Sequence, residues 1–137
     1  MHFFRALAAC ALLAVSFAAC KSDDDTQPVA GKGGPTSVRV TPRHHNIPID
    51  SCIVYIKYNA QDKPAGDVYD DSARAQGAGN GVPAQAAFPN LRPGNYYIFG
   101  RGYDPVISQA VRGGTPFTIP NNQVTYDVSL PVGEEGE

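Results

Sequence analysis

The chain has no tryptophan, and its one methionine is the first residue. Cysteine is scarce: three in 137 residues, at positions 10, 20 and 52. Glutamate is missing from residues 36–132; Glu134, Glu135 and Glu137 all stand at the C-terminus. No long hydrophobic run follows the first twenty residues. These gaps exclude several chemistries. A zinc-protease H-E-x-x-H motif is absent. The G-x-S-x-G turn that seats a hydrolase serine is also absent. Lys and Arg number 11 against 13 Asp and Glu and are scattered, so the basic face of a nucleic-acid binder is lacking. Residues 36–132 hold seven Asp and eight Lys plus Arg, which makes the body close to neutral.

What is present starts at the N-terminus. Arg5 precedes an apolar run, residues 6–19, that ends in Ala18-Ala19-Cys20. A charged start, an apolar stretch and small residues before a cut are the layout of a secretory signal peptide. The run is fourteen residues long, short of the ~20 that cross a bilayer. A cysteine directly after the small pair is where a lipoprotein signal carries its acylated residue. Cys20 is therefore expected to be lipidated and to begin the mature chain; Phe17 stands where such signals most often have Leu. Removal of residues 1–19 leaves residues 20–137, which is 118 residues, enough for one domain. Cys52 is then the one thiol not carrying lipid, so no internal disulfide can form and packing must hold the fold.

Cys20-Lys21-Ser22-Asp23-Asp24-Asp25 resembles the lipoprotein export signal of Bacteroidetes, a Cys followed by Lys or Ser and then acidic residues. That resemblance implies transport to the outer face of the outer membrane, with the membrane as a partner through the Cys20 lipid. The plain physical reading is a solvated tether kept extended by charge. Residues 20–35 carry charge, Gly and Pro and read as a flexible acidic linker. Residues 36–132 read as the folded body and 133–137 as an acidic tail.

Helical spacing of apolar residues never persists in the body, whereas alternating and β-branched stretches recur. Strands are expected at 37–41, 52–58, 84–88, 96–100, 106–111, 116–119 and 124–130. In the last, Val124, Tyr126, Val128 and Leu130 share one side. Residues 59–83 read as the longest irregular stretch. The expected fold is all-β: an antiparallel seven-stranded β-sandwich, transthyretin/prealbumin-like or immunoglobulin-like.

Phe88-Pro89-Asn90-Leu91-Arg92-Pro93-Gly94-Asn95-Tyr96-Tyr97-Ile98 resembles the F-x-x-L-x-P-G-x-Y-x-I element of carboxypeptidase regulatory-like (prealbumin-like or Cna-B-like) domains. Leu91 would plug one end of the core, Pro93-Gly94 would make the turn, and Tyr96 and Ile98 would point inward. Pro48-Ile49-Asp50-Ser51-Cys52-Ile53-Val54-Tyr55-Ile56 is similar to the same family's P-hydrophobic-x-G-A-x-V-x-V strand, which turns Cys52 toward the core with Val54 and Ile56. The family's D-x-x-G-x-Y lead-in is not cleanly present; Gly79-Asn80-Gly81 is its nearest equivalent. The resemblance implies fold and no catalysis. A Glu-assisted Lys–Asn cross-link, known in Cna-B-like domains, lacks its Glu here, though an Asp could substitute. The C-terminal Tyr-Arg-Gly-Ser of transthyretin-like hydrolases is missing.

Candidate chemistry is thin. Adjacent residues on a strand point to opposite faces, so His44 and His45 are expected to be polar edge residues rather than joint metal ligands. A Cys52–His45 catalytic pair is disfavoured by a buried thiol. Asp67, Asp70 and Asp71 could give calcium two or three oxygens, or form a solvated loop. Of seven tyrosines, Tyr55, Tyr97 and Tyr103 are expected to face outward, to stack on sugars or partners or to pair across strands. No catalytic residue, cofactor or metal ligand is assigned. The expectation is a lipid-anchored, outward-facing, non-enzymatic binding or accessory module of the outer membrane, for a protein or glycan. A structural subunit that pairs through edge strands is the alternative.

Overall fold

The computed structural model describes residues 28–77, 79–120 and 125–135. They form nine strands, β1 (Lys32–His44), β2 (Ile47–Pro48), β3 (Cys52–Tyr58), β4 (Asp71–Arg74), β5 (Ala86–Leu91), β6 (Gly94–Asp104), β7 (Gln109–Ile119), β8 (Thr125–Pro131) and β9 (Gly133–Glu134), with one 3-10 turn at Ala65–Asp67. The protein is all-β, in two sheets. One sheet has β1 at its centre, β5 along one edge and β8 along the other, with β2 at the far end of β1. The second runs β4-β3-β6-β7-β9.

The core lies between the sheets. Val38 and Val40 of β1, Ala86, Phe88 and Leu91 of β5 and Leu130 of β8 meet Cys52, Val54 and Ile56 of β3, Tyr96 and Ile98 of β6 and Val111 of β7. Period-two alternation produces this: in β3, Cys52, Val54 and Ile56 are buried and the residues between them are half-buried. Cys52, Val54, Ile56, Leu91, Tyr96 and Ile98 all face inward as expected.

Several elements differ from the sequence expectation. β1 and β8 run parallel, Ser37 opposite Thr125 through Arg43 opposite Pro131, so the sandwich is not wholly antiparallel. A parallel pair needs a long crossover, and here every intervening strand serves as that crossover. The two short strands expected at 106–111 and 116–119 are one strand, β7, because Gly113 and Gly114 continue the ladder opposite Gly100 and Phe99 of β6. Gly114 leaves room for the Tyr97 ring, and Pro116 sits where β9 no longer covers β7, so its missing N–H faces an open edge. Residues 105–108 form the turn between β6 and β7. Within the stretch read as irregular, β4 pairs with β3. At the ends, Ala30 is already buried and β9 pairs with β7.

The F-x-x-L-x-P-G-x-Y-x-I stretch closes one end of the sandwich. The Tyr96 hydroxyl accepts a hydrogen bond from Gly31 N–H at 2.9 Å and donates one to Arg92 C=O at 2.7 Å. A Cβ on Gly94, whose φ is +142°, would stand 2.7 Å from Pro28 O. That end of the body is therefore packed against the incoming chain. β1 then runs to His44 at the opposite end, thirteen residues later, ~40 Å at full extension.

Candidate functional site

The end of the sandwich reached by His44 holds the densest set of chemistry-bearing side chains among the described residues. His45 and Asn46 have φ of +47° and +67°, and His44 pairs with Ile47 across them. Two central residues with positive φ make a tight hairpin turn. The turn breaks strand alternation just where the sequence reading relied on it. The rings of His44 and His45 come to one side, with centroids 4.0 Å apart. His44 is not an edge residue: it is 2% exposed.

Two carboxylates from distant elements flank the His44 ring. Asp104, the last residue of β6, places Oδ2 2.7 Å from His44 Nδ1. Its other oxygen accepts a hydrogen bond from Val106 N–H at 2.8 Å, which orders the β6–β7 turn. Glu134, held on β9 by its pairing with Val111, places Oε2 3.6 Å from His44 Nε2. The Val132 N–H bond to Arg43 C=O, at 2.9 Å, ties this last segment to β1.

The hydrogen bond with His44 holds the Asp104 carboxyl below its usual range, helped by the bond from Val106 N–H. The same bond raises His44, against burial and with help from the Glu134 and Asp104 charges. An ionised Asp104 can only accept, so a proton resides on His44 Nδ1. His44 Nε2 is buried and makes no hydrogen bond.

Over this polar floor lies a cleft of about 260 Å³ lined by His44, His45, Ile47, Ile49, Val106 and Ile107 among others. Ile47 is 63% and Val106 85% exposed. Large aliphatic side chains this open at two adjacent turns gain nothing from the fold's own core.

The other sequence candidates are dispersed. Asp67 pairs with Lys63 at 2.8 Å and Arg101 at 3.3 Å. Asp70 accepts from Tyr58 N–H at 2.7 Å and pairs with Lys57 at 3.1 Å. Asp71 pairs with Lys32 at 2.7 Å. Each carboxylate answers a different cation, so the three pin the loop before β4 instead of converging on one ion. Cys52 faces the core, where burial pushes its thiol up to about 11. Tyr55 and Tyr97 do not form an open platform. Tyr69 covers the outer face of the second sheet, with its ring 5.3 Å from Tyr55 and stacked 5.7 Å from Phe99. Tyr103 is exposed. Cys20, Lys21, Ser22, Asp23, Asp24 and Asp25 lie outside the described residues, as does Val124.

Compared with protein-family models, with curated proteins and with solved structures, the chain finds no significant match in any of the three. The geometry therefore carries the functional reading. Sequence reasoning missed the grouping of His44 with Asp104 and Glu134. The available signal was His-His-Asn before Ile47, a turn whose left-handed residues place neighbouring side chains together.

Proposed function

We propose that this protein is a lipid-anchored, outward-facing binding module of the outer membrane, without enzymatic activity, built on a carboxypeptidase regulatory-like sandwich. Its partner is a protein surface that docks on the aliphatic rim formed by Ile47, Val106 and Ile107. The observation that carries the reading is the polarity of the domain. The chain enters at the Tyr96–Gly31 end, and the exposed rim lies at the other end of β1. A tether from Cys20 would thus leave the rim pointing away from the membrane. The resemblance of residues 88–98 to the family element is supported by the buried Phe88, Leu91 and Tyr96. The open edge of β8, with Thr125, Asp127 and Ser129 exposed, supports strand pairing as a second reading.

The test has two arms. Protease shaving of intact cells should remove the wild-type domain and spare a D23A/D24A/D25A variant, while Cys20→Ala should release the protein from the membrane. A photo-crosslinking residue at position 106 should capture a partner in those cells, and one at position 95, at the other end, should not. Protection of both proteins from shaving refutes outward display. Equal capture at 106 and 95, or none, refutes the rim. Capture from position 127 instead favours pairing at the β8 edge.

A further inference from the structure

We propose that His44, His45 and Glu134 form a binding site for a divalent transition-metal ion of the zinc type, with Asp104 orienting His44 from behind. The site goes beyond the partner-binding role and does not depend on it.

One ligand atom from each of the three residues lies within 4.8 Å of the others. The separation of His44 Nε2 from Glu134 Oε2, 3.6 Å, is too long for a hydrogen bond. It is close to the roughly 3.4 Å edge between two ligands held ~2.1 Å from one tetrahedral ion. Nε2 is the telling atom. Nδ1 is engaged by Asp104 at 2.7 Å, which leaves Nε2 as the ring nitrogen open to a further ligand. That nitrogen is buried without a hydrogen-bond partner and lies 3.6 Å from the Glu134 carboxylate. A buried ring nitrogen left unsatisfied beside a carboxylate is unfavourable in a low-dielectric setting, and a metal cation held between the two would satisfy both.

The surroundings fit a metal in a second way. A ligating histidine ordinarily donates its other ring N–H to a carboxylate, which fixes the tautomer and raises ligand basicity. Asp104 does this at 2.7 Å, and is itself fixed by Val106 N–H. Two imidazoles and one carboxylate are a borderline-soft donor set that favours zinc, copper or nickel over calcium or magnesium. Three protein ligands leave the fourth position of a tetrahedron open. Here that position would face the cleft beneath Ile47 and Val106.

The site joins the β1–β2 turn to β9, so an ion would also clamp the segment carrying Glu134 to the β1–β2 hairpin. The experiment uses the full chain purified in detergent and stripped with a chelator. Zinc is titrated by calorimetry, and cobalt is added as a spectroscopic probe. The expected result is one equivalent of zinc, a raised melting temperature, and a visible cobalt band of tetrahedral intensity that zinc abolishes. Calcium should do none of these. His44→Ala removes a side chain that is part of the packed interior, so the more solvent-facing partners carry the test. His45→Ala and Glu134→Gln should each weaken zinc at least about tenfold, and Asp104→Asn by about 10–100-fold. Glu135→Gln, next to the site but paired with Arg112 at 2.9 Å, should change nothing. No stoichiometric binding at millimolar zinc overturns the proposal. So does binding that survives both His45→Ala and Glu134→Gln.

Discussion

Replacing Tyr96 by Phe deletes one oxygen atom and should cost about 1.5–4.5 kcal/mol. The ring is wholly buried, so Phe fills the same space and no cavity opens. What is lost is the hydroxyl, which accepts from Gly31 N–H at 2.9 Å and donates to Arg92 C=O at 2.7 Å. Gly31 is itself buried, so its N–H loses a partner where water is excluded, while the Arg92 C=O loses a half-buried bond. An orphaned buried group costs about 1–3 kcal/mol and an ordinary hydrogen bond about 0.5–1.5 kcal/mol, which puts the double loss at about 1.5–4.5 kcal/mol. For a domain of ~100 residues each kcal/mol lowers the melting temperature by about 4–8 °C, so a fall of at least about 6 °C is expected. Urea unfolding followed by tyrosine fluorescence gives the free energy, and amide exchange at Gly31 gives the local effect. Tyr103→Phe, on an exposed residue, should stay within about 0.5 kcal/mol. If Tyr96→Phe loses no more than that control, the hydroxyl does not tie the incoming chain to the β5–β6 turn, and the reasoning fails.

Tyr69 offers the opposite case: its hydroxyl is buried without a hydrogen-bond partner, and burial, aided by the Asp67 charge, pushes it up to about 12. Tyr69→Phe should be neutral or stabilising by up to about 1 kcal/mol in the same urea assay; a loss above that would mean the hydroxyl is satisfied. Gly94→Ala would put a methyl 2.7 Å from Pro28 O at a φ of +142°, and calorimetry should show a loss of about 2 kcal/mol or more; an unchanged melting temperature would refute the close approach. Cys52 stays protonated in the folded state up to about 11, while the unfolded thiol ionises near its ordinary value. The folded state thus holds more protons between those values, so stability should fall as pH rises through that window, by at most about 2–3 kcal/mol. Cys52→Ala should remove that part of the alkaline loss, and a thiol reagent at neutral pH should react with Cys52 only after denaturant is added.

Much of the fold was legible from local pattern. Residues 52–58 carry alternation strong enough to be read residue by residue, and β3 occupies that span. Leu91, Tyr96 and Ile98 were legible because a Pro-Gly turn fixes where the alternation restarts. The reading failed where local chemistry and tertiary context disagree. Gly113, Gly114 and Pro116 look like strand breakers, yet β6 supplies a continuous partner and turns them into one strand. Asp71–Arg74 has little strand propensity, and β3 recruits it through backbone pairing.

The candidate site was legible in its residue types and not in its grouping. Sequence alone determined that the body is all-β and that Cys52 belongs to the core, because alternation and composition are local properties. Only the tertiary structure decided that His44 is buried between Asp104, sixty residues away, and Glu134 near the chain's end. Such convergence depends on how sheets close and which strands become neighbours. Those choices are set by packing summed over the whole core, which no local window of sequence contains.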